Sequence, residues 1–387
     1  MDGTDWIRRR KLAIMDREMP RISIVLGTRP EIIKMASIIK HLESGNYDYD
    51  VIHTQQHYDA NMSQTFFDEL GLPAPDYYLS VGSGTQAQQT ANAMVKLEDV
   101  YQKTSPDMVL VEGDTNTVLA GALAAAKMGI KVGHVEAGLR SYDWRMPEEC
   151  NRRLTDHASD LLFAPTEHNA TTLRKEKVWG KIFITGNTVI DACIDYLPVA
   201  ERRSKILDGI QFDDYIVFTA HRAENVDDPK ILRSFVRILT ECPLPVVYPL
   251  HPRTAKMLKE HGLYEKLVEH HKVQLIDPIG YLDFLVLMKH SSFIVTDSGG
   301  IQEEATAPNI RKKVFILRNN TERPEAVEAG YAEIVGKDEE TVLKKINKFV
   351  EEPEISAKPS PFGEGKAGEA ILSILFKRLN NVRNSRI

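Results

Sequence analysis

The chain of 387 residues is long enough for two domains, each with its own core. Its 42% hydrophobic and 27% charged residues match a soluble globular protein. The 49 Lys and Arg against 55 Asp and Glu leave a net charge of −6, which argues against a nucleic-acid partner but leaves room for a local basic pocket around one phosphate ligand.

Cys150, Cys193 and Cys242 stand far apart and form no CxxC, so neither a disulfide framework nor a structural zinc is expected. The reading is a reducing, cytoplasmic compartment. The longest apolar stretch, Val118 to Ala126, is far short of the ~20 residues of a spanning helix, so no membrane association is expected. Residues 1–20 are charged throughout and lack the apolar core of a signal peptide; they read as a loosely ordered extension.

From Arg21 onward, short β-branched runs alternate with helical patterns. Ile22–Leu26 predicts a strand and Pro30–Glu43 a helix with proline in its first turn. Val51–Thr54, Met108–Val111, Lys131–Val135, Leu161–Ala164 and Ile182–Thr185 predict further strands, with helices near 61–70, 116–128 and 148–157. The pattern restarts at Tyr215–Thr219 and continues with strands at Val246–Tyr248, Val273–Ile276, Phe293–Thr296, Val314–Leu317 and Ala332–Val335. Such alternation implies βαβ units and parallel sheets. The expected fold is α/β: two Rossmann-like, doubly wound domains facing a cleft. They would cover residues 21–200 and 201–363, and the helix in 364–387 would pack back on the first domain.

In open parallel sheets, ligands bind beyond the carboxyl ends of the strands. Ser298-Gly299-Gly300 opens a helix there and offers N–H groups to a phosphate, while Glu303 and Glu304 could accept ribose hydroxyls. Arg29, Lys34 and Arg323 could supply cations for a nucleotide diphosphate. Asp114, Glu136 and Glu148 form a candidate acid–base group, and His221 directly follows a strand. No GxxxxGK[ST], HExxH or GxSxG occurs. Gly82 to Ala87 fits GxGxxA but lacks a preceding apolar strand, so no nicotinamide, metal or other cofactor is expected.

Nine ordered segments resemble the non-hydrolysing UDP-N-acetylglucosamine 2-epimerases: GTRPEIIKMA (27–36), QQHYD (55–59), EGDT (112–115), HVEAGLRS (134–141), MPEECNRRLTD (146–156), TGNTVIDA (185–192), TAHRAEN (219–225), DSGGIQEEA (297–305) and TERPEAVEAG (321–330). The resemblance implies a GT-B-type fold, a homodimer, and interconversion of UDP-GlcNAc and UDP-ManNAc. That reaction would serve polysaccharide or glycan synthesis. It implies Asp114, Glu136, Glu148 and His221 as the catalytic set. Arg29, Lys34, Phe284, Ser298, Gly299, Gly300, Glu304 and Arg323 would hold the nucleotide sugar. The chain departs from the family pattern at Glu112, where histidine is common, at Ala223 in place of a second arginine, and in the longer segment 306–313. The loop 80–89 does not match the basic regulatory site of many bacterial members.

The C2 hydrogen of the sugar is not next to a carbonyl, so direct deprotonation is too costly. Loss of UDP from C1 would acidify it, which calls for a base, an opposing acid and cations for the diphosphate. A glycosyltransferase, a hydrolysing epimerase and a non-catalytic nucleotide-sugar sensor are the competing readings.

Overall fold

The computed structural model of the protein describes residues 6, 10, 13–14, 17–55 and 60–384; for 60–63 and 381–384 it describes the backbone alone. The chain divides into two compact units, residues 1–192 with 365–387, and residues 193–364.

Among the described residues, the first unit is built on seven parallel strands: β1 (Ile22–Leu26), β2 (Tyr49–His53), β3 (Tyr77–Tyr78), β4 (Met108–Glu112), β5 (Lys131–Val135), β6 (Leu161–Ala164) and β7 (Lys181–Ile184), in the order β3-β2-β1-β4-β5-β6-β7. β1 and β4 are buried at every position, as continuous apolar runs in a doubly covered sheet must be; Ser23 and Glu112 are the polar exceptions. The second unit has six: β8 (Ile216–Thr219), β9 (Val246–Pro249), β10 (Val273–Ile276), β11 (Ile294–Thr296), β12 (Val314–Ile316) and β13 (Ala332–Ile334), in the order β10-β9-β8-β11-β12-β13. In both sheets the strand order reverses once, between β1 and β4 and between β8 and β11. A crevice opens at such a reversal, because consecutive connections leave in opposite directions.

The helix Arg29–Ser44 follows β1, with proline in its first turn and Ile32, Ile33, Met35, Ala36, Ile38, Ile39 and Leu42 buried. Burial nearly all round follows from a second cover. The C-terminal helix Ala367–Asn384 packs on it, and Tyr47 stacks on Phe376 with ring centroids 4.1 Å apart. Asp191 caps that helix by accepting from the N–H groups of Ala367 (3.2 Å) and Gly368 (2.8 Å).

The structure differs from the sequence reading at several places, the short β3 (Tyr77–Tyr78) among them, and three further differences concern helices and the N-terminal extension. A helix spans Gln86–Thr104, where the sequence reads as a polar loop at its start. Only Ala93, Leu97, Val100, Tyr101 and Thr104 are buried, so a narrow apolar stripe carries it. Another helix runs Thr188–Arg203, through the point where the two units divide. The described part of residues 1–20 is also tied down rather than loose. Arg10 donates to the carbonyls of Pro106 and Gly129, and Arg17 to those of Thr104 and Ser105. Arg17 thus serves carbonyls that the helix end at Thr104 leaves unpaired. The rest of that extension lies outside the described residues.

Among the described residues, no helix is long and apolar enough to cross a membrane.

Candidate active site

The β1 loop is shaped by a close approach. A Cβ on Gly27 would lie 2.2 Å from Thr117 Oγ1 and 2.7 Å from Thr54 Oγ1, so only glycine fits. The Gly27 N–H (2.6 Å) and the Thr28 hydroxyl (3.1 Å) both donate to Glu31, as does the Thr115 hydroxyl from beyond β4 (2.7 Å). Glu31 therefore braces the loops on either side of the strand-order reversal. Burial pushes its carboxyl up to about 7, although these three donors oppose the rise. Arg29 opens the helix, with its guanidinium 4.7 Å from the centre of the Phe66 ring.

Lys34, one turn further on, is not a surface base. Its ammonium pairs with Glu136 Oε2 and lies 3.0 Å from Glu112 Oε1. Glu136 follows β5, adopts a left-handed φ of 67°, and also accepts from Asn187 Nδ2 at 3.0 Å. Left-handed backbone is uncommon for a non-glycine residue and is typical of sites where a side chain must be aimed.

Asp114 follows β4 and pairs with Arg152, whose Nη1 reaches Glu149 at 3.3 Å. Asn151 Nδ2 holds the Asp114 carbonyl at 3.0 Å. Behind this pair, acidic and basic groups alternate inward: Glu149, Arg153 (2.9 Å), Glu176 (2.9 Å), Arg140 (2.7 Å) and Asp156 (2.7 Å). Burial alone would raise the Asp156 carboxyl, but His134 and Arg140 hold it below the usual range. The other ring nitrogen of His134 faces the Gly113 carbonyl at 2.8 Å and so fixes the turn before Asp114. Of the two glutamates opening the helix Pro147–Ala158, Glu149 is consumed by this network. Glu148 is half-buried and makes no hydrogen bond or ion pair among the described residues. Asp114 and Glu136 thus stand after neighbouring strands, and Glu148 opens the next helix. Of the QQHYD segment, residues 56–59 lie outside the described residues.

In the second unit, Asp297 organises the reversal between β8 and β11. It accepts from the backbone N–H groups of His221 (3.1 Å) and Arg222 (3.0 Å) and from Asn225 Nδ2 (2.9 Å). His221 Nδ1 is 3.4 Å from Asp297 Oδ1, while 43% of its side chain stays exposed. The sequence reading quoted Asp297 only as part of a motif. The register sets it beside the His221 loop, because Thr219 pairs with Thr296 across β8 and β11. Ser298 stands at the N-terminal boundary of the helix Gly299–Glu304, and its side chain makes no capping bond. A Cβ on Gly299 would lie 2.5 Å from Arg323 Nη1, whereas one on Gly300 would meet nothing within 4 Å. Arg323 is therefore pressed against the glycine turn, with its Nε 2.9 Å from the buried Glu303. Glu304 is half-buried beside it. Arg318, Arg222 and Arg323 surround Glu322 at 2.7, 3.8 and 3.6 Å and hold its carboxyl far below the usual range, although burial opposes this. Phe284 is carried by a different element, half-buried in the helix Tyr281–His290 after β10.

The GxGxxA segment forms a helix start. The Thr85 hydroxyl accepts from the Gln88 N–H (3.3 Å), and the Gln88 side chain accepts from the Thr85 N–H (3.1 Å).

A profile of the family described as UDP-N-acetylglucosamine 2-epimerase matches residues 40–376. The chain is 47% identical over 364 residues to the UDP-N-acetylglucosamine 2-epimerase of Methanocaldococcus jannaschii, covering 92% of this chain and 98% of that protein. It is 40% identical over 364 residues to the UDP-2,3-diacetamido-2,3-dideoxy-D-glucuronate 2-epimerase of Pseudomonas aeruginosa, with coverage of 92% and 99%. The crystal structure of the M. jannaschii enzyme with UDP-GlcNAc and UDP is similar at a TM-score of 0.84 and 47% identity, covering 92% of this chain and 99% of that one. The Neisseria meningitidis UDP-GlcNAc 2-epimerase bound to UDP-GlcNAc is similar at 0.83 and 36%, with coverage of 93% and 100%.

Proposed function

The chain belongs to the UDP-N-acetylglucosamine 2-epimerase family, and from that premise we propose that it interconverts UDP-GlcNAc and UDP-ManNAc without net hydrolysis. The C1–O bond breaks and UDP takes the electron pair, leaving an oxocarbenium-like centre. A carboxylate removes the C2 proton, and the C2–H electrons form the double bond of a 2-acetamidoglucal. A second acid returns a proton to the opposite face of C2, and the diphosphate oxygen re-forms the bond at C1. Atoms and charge balance, and no redox partner is needed.

The observation that carries this reading is the pair of neighbouring strand ends in the first unit. Asp114 and Glu136 each sit against a buried cation, Arg152 and Lys34, and Glu148 follows with no hydrogen bond or ion pair among the described residues. A carboxylate can remove a proton and a carboxyl group can return one, and the carboxyl groups at these neighbouring strand ends offer both roles. In the second unit, His221, the Ser298-Gly299-Gly300 turn and Arg323 suit a diphosphate, and Glu304 suits ribose hydroxyls. The pairing of Lys34 with carboxylates supports a part for it in proton handling beside the expected contact with the nucleotide sugar.

Proton NMR of UDP-GlcNAc incubated with the protein tests the proposal. UDP-ManNAc should form; free ManNAc plus UDP as the main products would make the protein a hydrolysing epimerase. The Pseudomonas relative favours a second reading, a diacetamido-uronate as substrate, and the same assay with that UDP-sugar decides between them.

A further inference from the structure

Glu112 ends β4 as an ionisable residue inside an apolar strand, with 1% of its surface exposed. Among the described residues, the cation within ion-pair reach is Lys34, whose Nζ lies 3.0 Å from Oε1 but off the hydrogen-bond direction. That same ammonium pairs with Glu136, which also accepts from Asn187. The groups around Glu112 come from three elements. Lys34 and Glu31 come from the helix Arg29–Ser44, and His134 and Glu136 from β5 and the residue after it. Asp114 follows in its own loop. His134 is engaged by Asp156 and the Gly113 carbonyl, and Asp114 by Arg152.

A buried carboxylate is tolerated when a cation and hydrogen-bond donors serve it, and is costly otherwise. Glu136 has both, whereas Glu112 has a share of one ammonium. Placing the proton on Glu112 removes the second buried negative charge and leaves the ammonium to Glu136. Burial pushes the Glu112 carboxyl well up; the charges of Glu136 and Glu31 add to this and Lys34 opposes it.

We propose that Glu112 is a positioning residue that keeps its proton throughout the working pH range and, as a neutral acid, seats Lys34 without competing for its charge. The ammonium is then committed to Glu136, and Glu136 stays an ionised base. An anionic Glu112 would draw Lys34 between two carboxylates and raise the proton affinity of Glu136.

The sign of the linkage is definite. Glu112 binds its proton more tightly in the folded chain than in the unfolded one, where its pKa is about 4.3. The stability this provides is complete below that value and declines as pH rises toward the folded value. Urea unfolding of the full chain from pH 5 to 7 should therefore show the folding constant of wild type falling, relative to Glu112→Gln, by roughly tenfold per pH unit. Steady-state kinetics supply a second readout, which rests on the proposed epimerisation. Glu112→Ala should lower kcat by roughly tenfold or more with KM little changed, because Glu136 loses its seated partner, and Glu112→Gln should restore most of that loss. Parallel stability curves for wild type and Glu112→Gln would overturn the proposal. So would a Glu112→Gln enzyme as slow as Glu112→Ala, since a charge would then be required. If the glutamine variant does not fold, Glu112→Met takes its place. A chain that folds with neither neutral residue also overturns it. Failure of wild type to epimerise UDP-GlcNAc discards the reading of the reaction, while the stability comparison still decides the protonation of Glu112.

Discussion

Adding one methyl group at Gly27 should destabilise the first unit and displace the β1 loop. The new Cβ would lie 2.2 Å from Thr117 Oγ1, 2.8 Å from Thr117 Cβ and 2.7 Å from Thr54 Oγ1. These hydroxyls are buried and bonded to each other at 2.8 Å, so neither can move without breaking that bond. Overpacking of this kind costs ~1–3 kcal/mol, and a lost buried hydrogen bond adds about 1 kcal/mol. The sum, roughly 2–4 kcal/mol, corresponds to a fall in Tm of roughly 5–15 °C for a unit of this size. The Gly27 N–H also donates to Glu31, so turnover should fall more than stability alone explains. Thermal unfolding of Gly27→Ala, Thr117→Ala and the double variant measures the clash. Removing the Thr117 hydroxyl relieves part of the overlap, so the double variant should be more stable than the sum of the single losses. A Gly27→Ala protein within about 0.5 kcal/mol of wild type, or strict additivity in the cycle, would refute the packing argument.

Glu31→Gln should change the pH dependence of stability. The folded carboxyl is raised from 4.5 to about 7, so its contribution is complete below 4.5 and is lost as pH rises through 7. Across that window the variant should gain roughly 3 kcal/mol on wild type, apart from a constant offset for mismatched donors; parallel urea-unfolding curves would count against it. Ser298→Glu should abolish UDP binding while the circular-dichroism melt stays unchanged. The serine side chain makes no capping bond, and a carboxylate at that helix start repels a diphosphate; undiminished affinity by calorimetry would remove Ser298 from the site. Asp114→Asn and Glu148→Gln should bind UDP-GlcNAc with near-normal affinity and lose roughly 10²–10⁴ in turnover. Turnover within tenfold of wild type in both would exclude them as the proton-transfer pair.

The strands were the most legible part of the molecule. Ile22–Leu26 and Lys131–Val135 are found where the sequence puts them, because runs flanked by helix-length patterns leave little choice. The helix Gln86–Thr104 was hidden. Its apolar stripe is one residue wide over the turn from Ala93 to Leu97, and its polar first turn resembles a loop. Within the site, sequence reading selected the strand-end loops, because a parallel sheet puts all of them on one rim. Pairings across long separations had no such signal. Arg152 reaches Asp114 from 38 residues away, Lys34 reaches Glu136 from 102, and Asp297 braces His221 from 76. Spacing does carry one clue to Lys34. It lies three residues after the buried Glu31 and four before the buried Ile38, which places it on an inward face of its helix rather than in solvent.

Deuterium incorporation at C2 tests the two-group proton transfer most directly. Wild-type protein incubated with UDP-GlcNAc in D₂O should yield UDP-ManNAc carrying deuterium at C2, because the group that removes the proton and the group that returns one each exchange with solvent. Asp114→Asn and Glu148→Gln should each block that incorporation, or release UDP and 2-acetamidoglucal where elimination survives without return of the proton. UDP-ManNAc that retains the original hydrogen at C2 would contradict the scheme and point to a single shuttling base or to a hydride step.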